Sequence, residues 1–95
     1  MAAVLTASLA ASLALTGLPK NAPARVLQVT HQGELAERLH DLGFIAGEAV
    51  RVVAHAIGGD PIAVRVGHST FALRRTEAAG VLVRPDAQSA AAVPE

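Results

Sequence analysis

Glycine-bounded turns divide the second half of this chain into short segments, and they constrain its fold more than any other feature. Turn signals lie at Gly47, at residues 58–60 and at Gly67. From residue 62 to residue 66, apolar residues alternate with smaller or charged ones, which is the period-two pattern of a half-buried strand. The pattern therefore predicts several short strands that are joined by tight turns.

One segment has helical rather than strand periodicity. Three leucines at positions i, i+4 and i+7 form a single apolar stripe between Gly33 and Leu42, which predicts a helix over residues 33–42. Gly43 supplies a residue that ends such a helix in the left-handed conformation. We expect Phe44 and Ile45 to fold back from this point onto the leucine stripe.

These patterns predict a mainly β protein with one short α-helix after the first strand. Five short strands favour a small closed barrel over an open sheet, because closure leaves no exposed edge. The predicted strands cover residues 25–30, 50–57, 61–66, 69–74 and 81–83, with a helical turn over residues 76–79 that begins at Thr76 as its cap.

The two ends of the chain carry different signals. The first nineteen residues have no charged side chain, but they lack the basic start of a secretory signal and are too diluted by Thr, Ser and Gly for a membrane span. We interpret residues 1–14 as a frayed or loosely helical extension, residues 15–85 as the barrel domain and residues 86–95 as a disordered tail.

Composition excludes several classes of function. Eight basic and eight acidic residues cancel, which argues against nucleic-acid binding. The chain has no cysteine, so disulfides, thiolate metal sites and a cysteine nucleophile are absent. Its only aromatic residues are Phe44 and Phe71, too few for base-stacking platforms. No histidine forms a recognisable motif with a nucleophile and no phosphate-binding loop is present, so we predict that the protein is not an enzyme.

Several motifs together resemble the FeoA family of ferrous iron transport. They are residues 38–44, Gly47, residues 59–62 and residues 71–75, followed by Glu77 and Ala78. The resemblance extends over roughly residues 15–83, although Asn21 stands where the family usually has glycine. It implies an SH3-like barrel that acts as a cytoplasmic accessory partner of FeoB, the membrane protein with a GTP-binding domain that moves ferrous iron inward, with association at the inner face of the membrane.

The alternative is the SH3-like domain of an iron- or manganese-dependent transcriptional repressor, which the same fold resembles. Such repressors carry a winged-helix DNA-binding domain upstream, whereas here a short apolar segment precedes the barrel. The sequence therefore favours the transport accessory. A homo-oligomer is a further possibility, because a small barrel with a free apolar strand face can self-associate.

Candidate metal ligands are few. Glu37 and His40 share a helix face at the i, i+3 spacing that di-iron bundle proteins use, but only one copy of the pair exists. We interpret both as solvated surface residues, and a weak iron or zinc site completed by a second molecule is the alternative. His55 and His68 are expected to face solvent.

The remaining candidate functional residues are apolar residues that could contact a partner and arginines. Phe44 and Ile45 are the apolar residues predicted to contact the partner, since loop residues can be partly exposed. Arg38 is predicted to tie the helix to a nearby carbonyl or carboxylate. Four arginines crowd the second half of the chain: Arg65, Arg74, Arg75 and Arg84. We interpret them as ordinary solvated residues on strand faces, and a basic patch that binds an acidic partner or phosphate is the alternative.

Overall fold

The computed structural model of the protein describes residues 12–86. The predicted extension before residue 12 and the predicted tail after residue 86 lie outside the described residues. In chain order, the elements are β1 (Leu13–Ala14), a 3-10 turn (Leu15–Gly17), β2 (Ala24–Val29), α1 (Gly33–Leu42), β3 (Ala49–His55), a 3-10 turn (Ile57–Gly59), β4 (Ile62–Val66), β5 (Ser69–Leu73), α2 (Arg75–Ala78) and β6 (Val81–Pro85).

The helix α1 has the bounds that periodicity predicts, so that prediction is confirmed. Glu34 lies in its first turn, where the helix dipole favours negative charge. At the other end Gly43 takes φ 115°, and its N–H donates to the carbonyl oxygens of Leu39 and His40. The N–H of Phe44 donates to the Leu39 carbonyl at 3.0 Å, which turns the chain back over the helix.

All six strands form one antiparallel sheet in the order β1-β6-β2-β3-β4-β5. Register shifts in β2 between Val26 and Gln28, and in β3 between Val52 and Ala54, are the irregularities that bend such a sheet. Within residues 12–86 no backbone pairing joins β1 to β5, so the sheet curls without closing. The prediction of a closed, five-stranded barrel is therefore wrong in strand number and in closure, whereas its mainly β class with one early helix is confirmed.

Backbone contacts account for the additional strand and for the earlier start of α2. Leu13 and Ala14, which the prediction placed in the extension, become β1 because they pair with Val83 and Leu82 of β6. The last helical turn begins one residue before the predicted cap Thr76, since Arg74 holds the cap position.

The core lies between the curved sheet and α1, and consists of aliphatic side chains with one aromatic ring. No polar or charged side chain of residues 12–86 is buried in it. No helix in that range is long and apolar enough to cross a membrane. The buried residues are Leu15, Leu18, Ala24, Val26, Leu39, Phe44, Val50, Val52, Ile62, Val64, Val66, Leu73, Ala78, Val81 and Val83.

Candidate functional site

The loop between α1 and β3 separates the two residues predicted to dock. Phe44 is 2% exposed and belongs to the core, whereas Ile45 is 45% exposed. Backbone hydrogen bonds hold Ile45 in place: its N–H donates to the Gly43 carbonyl at 2.8 Å, and its carbonyl accepts from the Glu48 N–H at 2.9 Å. The loop therefore presents Ile45 to solvent on a backbone that is hydrogen-bonded on both sides, while Phe44 anchors it from below.

A second exposed aliphatic side chain lies at the tip of the β3–β4 hairpin. Ile57 is fully exposed in the 3-10 turn, although the sequence pattern placed it at the end of a strand. The signal that could have found it is its position beside Gly58 and Gly59, where a turn leaves no neighbouring strand to cover it. Ile45 and Ile57 adjoin opposite ends of β3, whose seven residues span about 23 Å. They are therefore two separate exposed apolar residues and do not form one patch.

The predicted metal ligands both lie on α1. Glu37 and His40 are both exposed, as the favoured interpretation states. Among residues 12–86, no group of three or more His, Cys, Asp or Glu side chains is placed to hold a metal ion. A tetrahedral zinc site takes four ligands, or three and a water, so this pair does not fit a zinc or iron centre by itself.

The four histidines differ in their surroundings. His55 and His68 face solvent, as predicted. His31, to which the sequence assigned no role, is half-buried, and its Nε2 lies 2.9 Å from the carbonyl oxygen of Glu77. The ring packs directly against Gly80. His31 thus joins the start of α1 to the turn before β6, a structural function that no local pattern indicates.

An ion pair joins the two helices. The Arg38 guanidinium donates to Oε2 of Glu77, which confirms the predicted tie between the helix and a carboxylate. The other oxygen, Oε1, accepts the backbone N–H of Arg74 at 2.9 Å and so caps α2. That N–H, followed by the Arg38 guanidinium, lowers the pKa of the Glu77 carboxyl below its ordinary value, and partial burial opposes them. The pair positions α2 and offers no reactive group.

Comparison with known proteins identifies what this architecture is similar to. The model of the FeoA domain matches residues 13–85. A Stenotrophomonas maltophilia FeoA complexed with zinc is 43% identical, with a TM-score of 0.69 over 81% of this chain and 93% of that one. It is described as an SH3 domain protein and as a candidate activating factor of bacterial ferrous iron transport. The SH3-like fold expected from the sequence is thereby supported.

Two further solved structures extend the comparison. The iron(II) transport protein A of Clostridium thermocellum is 36% identical with a TM-score of 0.73 over 77% of this chain, which spans only 45% of the length of that one. Chlorobium tepidum FeoA is 33% identical, with a TM-score of 0.74 over 79% of this chain and 71% of that one. No curated protein sequence matches the chain significantly.

Metal-dependent repressors share the fold alone. A manganese-dependent transcriptional repressor is 16% identical, with a TM-score of 0.71 over 79% of this chain and 42% of that one. T. acidophilum IdeR is 19% identical, with a TM-score of 0.69 over 80% of this chain and 35% of that one. At these identities the likeness extends to architecture and not to a regulator's activity.

Proposed function

The chain belongs to the FeoA domain family, and from that premise we propose that it is an accessory protein of ferrous iron uptake. In this proposal it docks on the cytoplasmic side of an FeoB-type, GTP-binding membrane transporter and contributes binding rather than catalysis. Support comes from the S. maltophilia relative, which is described as a candidate activating factor of that transport and which this chain covers almost in full.

The observation that carries the docking proposal is the exposure of Ile45 on a hydrogen-bonded loop. Nearly every other large aliphatic side chain of residues 12–86 is buried or half-buried. Full burial of an exposed isoleucine side chain is worth about 1.5–3 kcal/mol, and since Ile45 is 45% exposed, covering the rest of it is worth about half of that. Because backbone bonds already order the loop, little conformational entropy is lost when a partner covers it. Ile45, with Phe44 fixing its loop from the core, is the contact we propose.

The experiment is a binding assay with the cytoplasmic portion of an FeoB-type transporter, loaded in turn with each nucleotide state. The native chain should be retained in at least one state. Ile45→Asp should weaken binding by about tenfold or more, as expected when an apolar anchor is replaced by a charge.

Ile57→Asp is the matched control, since it makes the same change at an exposed isoleucine at the far end of β3. Ile57→Asp changes a fully exposed side chain and should alter the free energy of unfolding by no more than about 0.5 kcal/mol, whereas Ile45→Asp changes a half-buried one and should lower it by about 1 kcal/mol. If the native chain is retained in none of the nucleotide states, the proposed partner is refuted. Equal losses from both substitutions would refute Ile45 as the specific contact.

A further inference from the structure

Two arginines lie directly opposite each other on the solvent face of the sheet. Arg51 of β3 is in register with Arg65 of β4, and both side chains are exposed. Directly opposed residues have Cβ atoms about 4.5–5.5 Å apart, and like charges in such a pair destabilise a sheet. Neither guanidinium forms an ion pair or hydrogen bond within the described part of the chain. The fold therefore holds two adjacent positive charges without a counter-ion of its own.

A hollow of about 180 Å³ lies beside this pair and is lined by both arginines. Ala49 projects from the same face two residues before Arg51, and its small side chain, together with Gly67, leaves the space open. Sites for drug-sized ligands have volumes of about 300–1,000 Å³. A hollow of the smaller size suits one compact charged group rather than a whole cofactor.

Charge indicates which group that is. Two guanidinium groups carry two positive charges, and arginine does not lose its charge in proteins. A carboxylate brings one negative charge, whereas a phosphoryl group carries about −1.5 to −2 at pH 7 and offers three acceptor oxygens. We propose that this hollow binds the phosphoryl group of a small soluble phosphate compound, with Arg51 and Arg65 donating hydrogen bonds to its oxygens. The proposal is independent of docking on a transporter.

The surrounding charges modify this site without cancelling it. Asp86 also lines the hollow, but its Oδ1 lies 4.0 Å from Nε of Arg25. The Arg25 guanidinium also donates to the Gly47 carbonyl at 3.2 Å. Asp86 is therefore directed to Arg25. Its remaining repulsion, together with that of the Glu48 carboxylate beside Gly67 at the rim of the hollow, should weaken the binding of an anion. Asp86→Asn should accordingly tighten phosphate binding by up to about fivefold, the range of an exposed charge interaction.

The test is an NMR titration of the full chain with inorganic phosphate and with phenyl phosphate at constant ionic strength. Saturable shifts are expected at the backbone amides that border the hollow, namely those of Ala49, Arg51, Arg65 and Gly67. Acetate at the same ionic strength should give no saturable shift. Binding of phenyl phosphate should weaken as the pH falls below about 6, where a phosphate monoester loses its second charge, whereas sulfate should show no such dependence.

Matched arginine variants distinguish phosphate binding in the hollow from a general effect of positive surface charge. Arg51→Gln and Arg65→Gln should each weaken phosphate binding by about tenfold, because each removes a charge-assisted hydrogen bond to the phosphoryl oxygens. Arg84→Gln makes the same charge change on the same sheet, opposite Arg25, but lies outside the hollow. It should leave the affinity within twofold, since charges beyond about 8 Å are screened at physiological salt.

Four results would overturn the proposal. One is a titration that does not saturate, and another is an equal loss of affinity in Arg84→Gln and Arg51→Gln. The third is tighter binding of succinate or an acidic peptide than of phosphate, which would assign the hollow to carboxylates. The fourth is binding to vesicles that contain phosphatidic acid with none to soluble phosphates, which would assign it to a lipid surface.

Discussion

Gly80 lies against the His31 ring, and substitution of this glycine provides a strict test of how the start of α1 is joined to the turn before β6. A Cβ added at Gly80 would lie 2.3 Å from Nε2 and 2.5 Å from Cδ2 of His31. Carbon contacts are most favourable at about 3.5–4.0 Å, so the ring would have to move by about 1 Å. Movement of that size also breaks the contact between Nε2 and the Glu77 carbonyl, which are 2.9 Å apart.

The expected loss follows from three terms. Overpacking costs about 1–3 kcal/mol, and a lost hydrogen bond costs about 1 kcal/mol. Gly80 is outside the left-handed region, so alanine suffers no backbone strain there and stabilises by about 0.4–1 kcal/mol through the unfolded chain. Gly80→Ala should therefore lower the free energy of unfolding by about 1–3.5 kcal/mol, a substantial share of the roughly 5–15 kcal/mol of a typical domain.

The control is the same substitution in a His31→Ala background. There the obstructing ring is absent, so Gly80→Ala should be neutral or stabilising by up to about 1 kcal/mol. Urea unfolding followed by circular dichroism is the appropriate assay, since the chain has no tryptophan or tyrosine for a fluorescence signal. An unchanged midpoint for Gly80→Ala alone, or an equal loss in both backgrounds, would refute the reasoning.

Three further predictions concern the core, the ion pair and the candidate metal ligands. Leu39→Ala removes a fully buried side chain and should lower the free energy of unfolding by about 2–5 kcal/mol, measured by the same denaturation. The lowered pKa of Glu77 gives stability that is present above the ordinary value of 4.5 and is lost as pH falls through the folded-state value. Glu77→Gln should reduce the dependence of the free energy of unfolding on pH in this acidic range. The same pH dependence in the variant as in the native chain would contradict this prediction. Micromolar zinc should give no saturable shift of the His40 resonances, since Glu37 and His40 are only two ligands; a saturable shift would overturn that.

Local patterns were sufficient wherever a short stretch of chain determines its own conformation. The leucine stripe and Gly43 predicted α1 to the residue, because the apolar face and the left-handed stop both lie within the segment. The turn at residues 58–60 and the alternation in residues 62–66 likewise placed the β3–β4 hairpin. The predicted tie through Arg38 was also confirmed, although its partner, 39 residues away, was unknown from sequence.

Predictions failed where the outcome depends on contacts distant in sequence. Leu13 and Ala14 are a strand only because β6 pairs with them. The start of α2 is an exception, because the contact that sets it is local: the Glu77 carboxylate accepts the N–H of Arg74, three residues earlier. Whether the sheet closes depends on how far its bends bring β1 toward β5, and no local pattern specifies that distance.

The same division holds for the candidate sites. Sequence alone established a mainly β chain with one early helix, no cysteine chemistry and a family resemblance, because composition and local periodicity carry that information. Only the tertiary structure decided that Phe44 is buried while its neighbour Ile45 is exposed, since a loop's two faces depend on what packs beneath it. It also decided that Arg51 faces Arg65, because strand register brings together residues that lie far apart along the chain.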